Sequence, residues 1–197
     1  MMTHRIGVLL VVLSVPACGG GAPAKARAPD AATAPVAASA PVAQTSFAST
    51  NELVSRPEMR ALVDELAAAD RIAEKHVSYD GHASEEFKVY ERLATIATDT
   101  EMIALLGHTS PIVRGYAAQG VIERDLAGAP LDGVLADETL VSTQRGCFGS
   151  TEAVWHVTVQ SLCNSRAKSL ASRTLRELAR PGHGKRGEMA SRCMATP

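Results

Sequence analysis

An all-α fold is what this sequence predicts, and three observations predict it. Apolar residues recur at three- and four-residue spacing in segment after segment, many of these segments open on a hydroxyl or proline start signal, and Gly- or Pro-containing turns separate them.

The first helix is expected from Ser55-Arg56-Pro57-Glu58: a hydroxyl can cap, the proline sits where no amide hydrogen is needed, and the glutamate can reach back. Leu62, Leu66, Ala69 and Ile72 with Ala73 then carry one apolar stripe to about Lys75. Asp80-Gly81 breaks the pattern, Ser84 restarts it, and Phe87, Tyr90, Leu93 or Ala94 and Ala97 form a second stripe. Thr98 to Glu101 is a hydroxyl-to-glutamate box opening a short helix with Met102, Ile103, Leu105 and Leu106, which the turn at 107–110 closes. Ser110 and Pro111 start the next helix, lined by Val113, Ala117, Ala118 and Val121. Its Gly115 and Gly120 each cost about 1 kcal/mol relative to alanine inside a helix, which implies close packing against neighbouring helices.

Pro130 to Asp137 offers a short helix through Leu131, Val134 and Leu135. Between Gly149 and Asn164, Trp155, Val157 and Val159 alternate as in a strand, while Val154, Thr158, Ser161 and Leu162 fit a helix starting near Ser150 and Glu152. Helix is the expectation, because a lone strand would leave its backbone groups unpaired. The last helix is read between Ser165 and Arg180, with Leu170, Thr174 or Leu175 and Leu178 buried and the turn at 181–184 ending it.

Pro111, Val113, Arg114, Ala117 and Val121 resemble the second helix of a HEAT-type repeat, with His108 near the place of that family's usual turn aspartate. The resemblance covers residues 90–124 and implies a short α-solenoid of helical pairs over residues 46–197, because such repeats bury their apolar faces only by stacking. It also implies that Arg114 binds carbonyls or an acidic residue of a neighbouring repeat; contact with a ligand, as part of an interaction surface, is the alternative for this residue.

Residues 1–17 have signal-peptide layout: Arg5 precedes an apolar run from Ile6 to Val15, about half of what a membrane-spanning helix needs. Val15-Pro16-Ala17-Cys18 resembles the bacterial lipoprotein box, which implies lipidation of Cys18; read as an ordinary secretory site, cleavage would follow Ala17. Gly19 stands where that family's inner-membrane retention aspartate would be, which implies the outer membrane. Residues 18–45 are almost wholly Ala, Pro, Gly, Ser and Thr and cannot bury a core, so they read as a disordered tether.

Between Thr50 and Glu138 there are 17 acidic residues against 8 Lys and Arg, a net of −9, whereas residues 139–197 carry 3 against 9, a net of +6. Together with the export signal this disfavours nucleic-acid binding. The two halves are expected to neutralise each other. Arg166, Arg173 and Arg180 recur at seven residues and would line one side of the last helix, either against the acidic half or as a surface for anionic headgroups or an acidic partner. Tyr79, Tyr90, Tyr116 and Trp155 are expected to be mostly core.

Beyond Cys18 there are Cys147, Cys163 and Cys193, and in an oxidising compartment Cys147 can pair with Cys163 or with Cys193. These cysteines and the histidines lack close metal-ligand spacing, so neither a metal nor a cofactor is expected. No nucleophile elbow or phosphate loop occurs. The chain therefore reads as a non-enzymatic, lipid-anchored envelope protein with its domain in the periplasm, binding an envelope protein or peptide. The alternative is a thiol-dependent enzyme or redox protein using Cys147, which Gly146 and Gly149 flank, with His156, His108 or His82 as base.

Overall fold

The structure, a computed structural model, describes residues 56–79 and 81–196. The expected signal peptide, Cys18, the expected tether and Ser55 lie outside the described residues. The domain is not all-α. Helices α1 (Pro57–Ala68), α2 (Glu85–Ile96), α3 (Asp99–Ala104), α4 (Pro111–Glu123), α5 (Asp132–Leu135), α6 (Val154–Asn164), α7 (Ser169–Leu178) and α8 (Gly184–Ala195) accompany strands β1 (Arg71–Val77), β2 (His82–Ala83), β3 (Leu140–Gly146) and β4 (Phe148–Ala153). The strands form one mixed sheet in the order β2-β1-β3-β4. β1 and β3 run parallel, and each pairs antiparallel with its hairpin partner.

This sheet corrects the α-solenoid reading. Leu62 and Leu66 are indeed buried on α1, but that helix stops at Ala68, and Ile72 and Ala73 belong to β1. Three- to four-residue spacing continued across the break by coincidence. The unpaired-backbone argument against a strand also fails, because the segment before Trp155 pairs with β3 and β3 pairs with β1. The helical glycines serve the sheet as well: a β-carbon at Gly115 would run into the Ile72 side chain, while one at Gly120 would lie 2.9 Å from the Met102 sulfur of α3. Gly115 thus provides tight approach to a strand, and Gly120 to a helix.

Several local expectations hold. Ser84 accepts from the Phe87 amide, and Thr98 with Glu101 forms a reciprocal capping box on α3. Arg56 donates to the same Glu101 carboxylate at 2.6 Å, tying α1 to α3. Ser110 supplies no side-chain cap to α4. α4 is buried on nearly all sides, including Val113, Tyr116, Ala117, Ala118 and Val121. Tyr116 stacks on Tyr90 at 5.1 Å. Its hydroxyl donates to the Ala73 carbonyl and accepts from the Ala73 amide, which satisfies β1 where β2 does not reach. Helix α6 begins at Val154 rather than near Ser150, and α8 lies in a stretch where no helix was expected.

Candidate functional site

The β3–β4 hairpin turns on two residues, Gly146 and Cys147, between the paired Arg145 and Phe148. Gly146 has φ +53° at the first turn position, the arrangement in which glycine carries the backbone reversal of a two-residue hairpin. At the other end the Val154 amide donates to the Thr139 carbonyl at 3.0 Å. Antiparallel pairs alternate between bonded and non-bonded, so that bond sets the phase: Glu152, Ser150 and Phe148 face β3 with their backbone groups, whereas Gly149, Thr151 and Ala153 point theirs away. Among the described residues β4 is an edge strand, Phe148 to Thr151 are exposed, and no lysine or proline within it blunts the edge.

A side-chain network fixes this hairpin to α6. Thr143 donates to Ser150 at 2.8 Å, and Ser150 donates to Glu152 at 2.7 Å. Arg145 adds a two-pronged contact to Glu152 at 3.0 and 3.2 Å, and Nδ1 of His156, in the first turn of α6, lies 2.8 Å from the same carboxylate. Burial pushes the Glu152 carboxyl up, but hydrogen bonds from Ser150 and His156 and the Arg145 charge outweigh it and hold it below the usual range. Behind the hairpin, between β1, β3, α4 and α6, lies a cleft of about 100 Å³. Its polar wall is largely committed internally: Gln119 and Tyr90 both donate to Glu123, and Gln160 donates to Asn164.

Arg114 secures the entrance to β3. Its guanidinium donates to Asp137 at 2.7 Å and to the carbonyls of His108 and Thr109, while Asp137 accepts from the Thr139 amide. This contact set, carbonyls plus a carboxylate, is structural, with both charged groups mostly buried. Arg114→Leu leaves the Asp137 charge without its partner and costs about 3 kcal/mol, read by denaturant unfolding. Arg114→Lys retains the charge but loses the fork and costs less.

His108 is bonded into this turn: its Nδ1 accepts from the Ser110 amide at 3.0 Å. That bond needs the neutral ring, and burial, with the Arg114 charge adding to it, lowers its pKa from the ordinary 6.5. A depressed histidine pKa means that the unfolded chain binds the proton first, so stability falls as pH drops through about 6.5 towards the folded-state value. His108→Asn, whose carbonyl can still accept, flattens that part of the melting-temperature profile between pH 7 and 5.

The remaining sequence-predicted residues are dispersed. Cys163 of α6 is bonded to Cys193 of α8, with Cα atoms 5.7 Å apart, so neither pairing of Cys147 with these residues occurs. Cys147 is exposed on the hairpin tip. His156 is held by Glu152, opposite Val141 at the far end of the hairpin, and His108 lies in the turn before α4. His82 pairs with Val77, next to the strand end that carries Cys147. Arg166 precedes α7, Arg173 is exposed on it, and Arg180 follows its end and pairs with Glu177 at 2.6 Å, so the three do not share one helix face. Among the described residues no group of three His, Cys, Asp or Glu is placed to hold a metal ion, and no helix is long and apolar enough to cross a membrane.

Sequence reasoning missed the open edge itself. Its signal was the β-branched residues at alternate positions, Thr139, Val141 and Thr143, then Gly146 at a turn, then Ser150-Thr151. No family model, no curated protein and no solved structure matches this chain.

Proposed function

We propose that this chain is an exported, lipid-anchored, non-catalytic binding domain of the cell envelope, taking up an extended segment of a partner protein or peptide along the open edge of β4. The observation that carries the reading is the edge: three successive outward-facing residues, Gly149, Thr151 and Ala153, offer a ladder of donors and acceptors on a hairpin that the Glu152 network holds rigid. A strand added there draws affinity from main-chain hydrogen bonds and specificity from the side chains that flank it, Ser150 and Glu152 on one face and Thr151 on the other. The leader at 1–17, the box at Cys18 and the tether to about residue 45 support the address. Incorporation of a fatty-acid analogue that Cys18→Ser abolishes is the expected result for the anchor.

Thr151→Pro tests the edge. It removes a hydrogen-bond donor that faces away from β3, at a position where an edge strand tolerates proline, so the fold stays and strand addition fails. A photo-reactive residue at position 149 of the intact chain, where a side chain meets only open space and ordinary contact, is expected to give discrete cross-links in the protein's own envelope that Thr151→Pro reduces roughly tenfold, about 1.4 kcal/mol of binding. Unchanged cross-links in a proline variant that melts normally would sink the reading.

A second reading, thiol chemistry at Cys147, draws on that residue's exposure at a hairpin tip outside the disulfide, with His82 one strand away. Selective alkylation of Cys147 at neutral pH, with loss of an activity in Cys147→Ser, would favour it over the binding reading.

A further inference from the structure

Two aromatic side chains stand out of the same end of the sheet. Tyr79, in the β1–β2 turn, and Phe148, at the β3–β4 tip, are each 80% exposed, while Tyr90 and Tyr116 are buried. The tips are joined, because the Ser78 amide donates to the Gly146 carbonyl at 2.9 Å and Val77 is in register with Gly146. Ser78 itself holds φ +66°, a left-handed conformation uncommon outside glycine, so the turn that projects Tyr79 is sharply formed. Exposing a large apolar ring on a rigid tip gains nothing for folding, and two such rings at one end call for something that covers them.

We infer that the paired tips carrying Tyr79 and Phe148 dip into the lipid interface of the bilayer that bears the anchor, an inference that rests on the lipid-anchor reading above. The length of chain ahead of the domain selects this occupant. Residues 18–55 stand between the lipidation position and α1, and a flexible chain of that length has a root-mean-square span of roughly 35 Å, so the domain meets its own membrane at high effective concentration. Two rings then suffice where a freely diffusing protein would need more apolar area. The contact is apolar in character. Arg145, which pairs with Phe148 at this tip, is already held by Glu152 and lies 3.8 Å from Glu74, and Asp80 by sequence shares the turn with Tyr79. Anionic lipid therefore adds nothing, and salt does not weaken the contact. With the tips seated on the membrane, the β4 edge runs away from the bilayer and remains open to a partner.

The test uses the anchored protein reconstituted into phosphatidylcholine vesicles containing a brominated lipid, with Trp155→Phe removing the native indole. Three single probes are compared: Phe148→Trp, Tyr79→Trp, and Leu140→Trp as a control. Leu140 is also exposed, but it starts β3, about 20 Å of strand from the tip. Bromine quenching of the probes at 148 and 79 with none at 140, unchanged by salt or by phosphatidylglycerol, is the expected result. Adding Tyr79→Ser to the probe at 148 is expected to cut its quenching severalfold. Equal quenching at all three positions, or none at 148 and 79 in a protein that takes the lipid label at Cys18, overturns the inference while leaving the anchor standing. A blue-shifted, concentration-dependent emission at 148 without vesicles assigns the tip to a second copy of the chain and overturns it too. If Cys18 takes no label, the anchor reading has failed, and the same probes on the secreted protein with added vesicles decide the tips separately.

Discussion

Ala117→Asp leaves no cooperatively folded domain at ambient temperature. Ala117 is 1% exposed in the middle of α4, with Val113, Tyr116, Ala118 and Val121 buried around it. An ionised carboxylate there has no partner and costs several kcal/mol, which approaches the whole stability of a domain this size. Because α4 touches α3, α6 and the sheet, the loss is global rather than local. Arg173→Glu reverses a charge on the exposed face of α7 and stays within about 0.5 kcal/mol of the parent. Similar thermal melting of the two variants would contradict the placement of α4 at the centre of the core.

Cys163→Ser lowers stability by about 3–4 kcal/mol, the chain-entropy value for closing a loop of this length, and the melting temperature by roughly 10 °C. The bond closes 30 residues and attaches α8, which carries only Gly187 and Ala190 as buried residues, to α6. A helix so thinly anchored detaches first when the bond is cut. Cys193→Ser behaves alike, and the double variant adds nothing further, because one covalent link is lost in each case. Reductant brings the parent down to the variants and leaves them where they are. A parent protein that melts the same in oxidising and reducing buffer would show that α8 does not depend on the bond.

What could be read from the residues follows from the range of the forces involved. Caps and turns are local: the box at Thr98 and Glu101, the Ser84 cap and the short helix at Asp132 were legible because their chemistry lies within four residues. Arg114 was legible as a structural group and is one, although its carboxylate partner, Asp137, comes from the approach to β3 and not from a stacked repeat. The sheet was not legible. β1 and β3 are separated by the whole α2–α5 region, so the neighbour that satisfies each strand lies far off in sequence, and periodicity alone joined Ile72 to the stripe of α1. Small residues in α4 announced a close approach but not its object, since glycine accommodates Ile72 of a strand as well as a helix. The edge of β4 escaped for a related reason: an exposed strand has no buried alternation to betray it, and Phe148 to Thr151 are all exposed.

The central claim is that β4 is a paired strand on one side and an open ladder on the other. Residue-resolved amide hydrogen exchange on the free, intact chain tests it most directly. The account predicts alternation, with slow exchange at Phe148, Ser150 and Glu152, fast exchange at Gly149, Thr151 and Ala153, and the latter three slowing when the cross-linked partner is added. Uniform protection from 148 through 153 in the free protein would contradict it, because the edge would then be covered already or the segment helical.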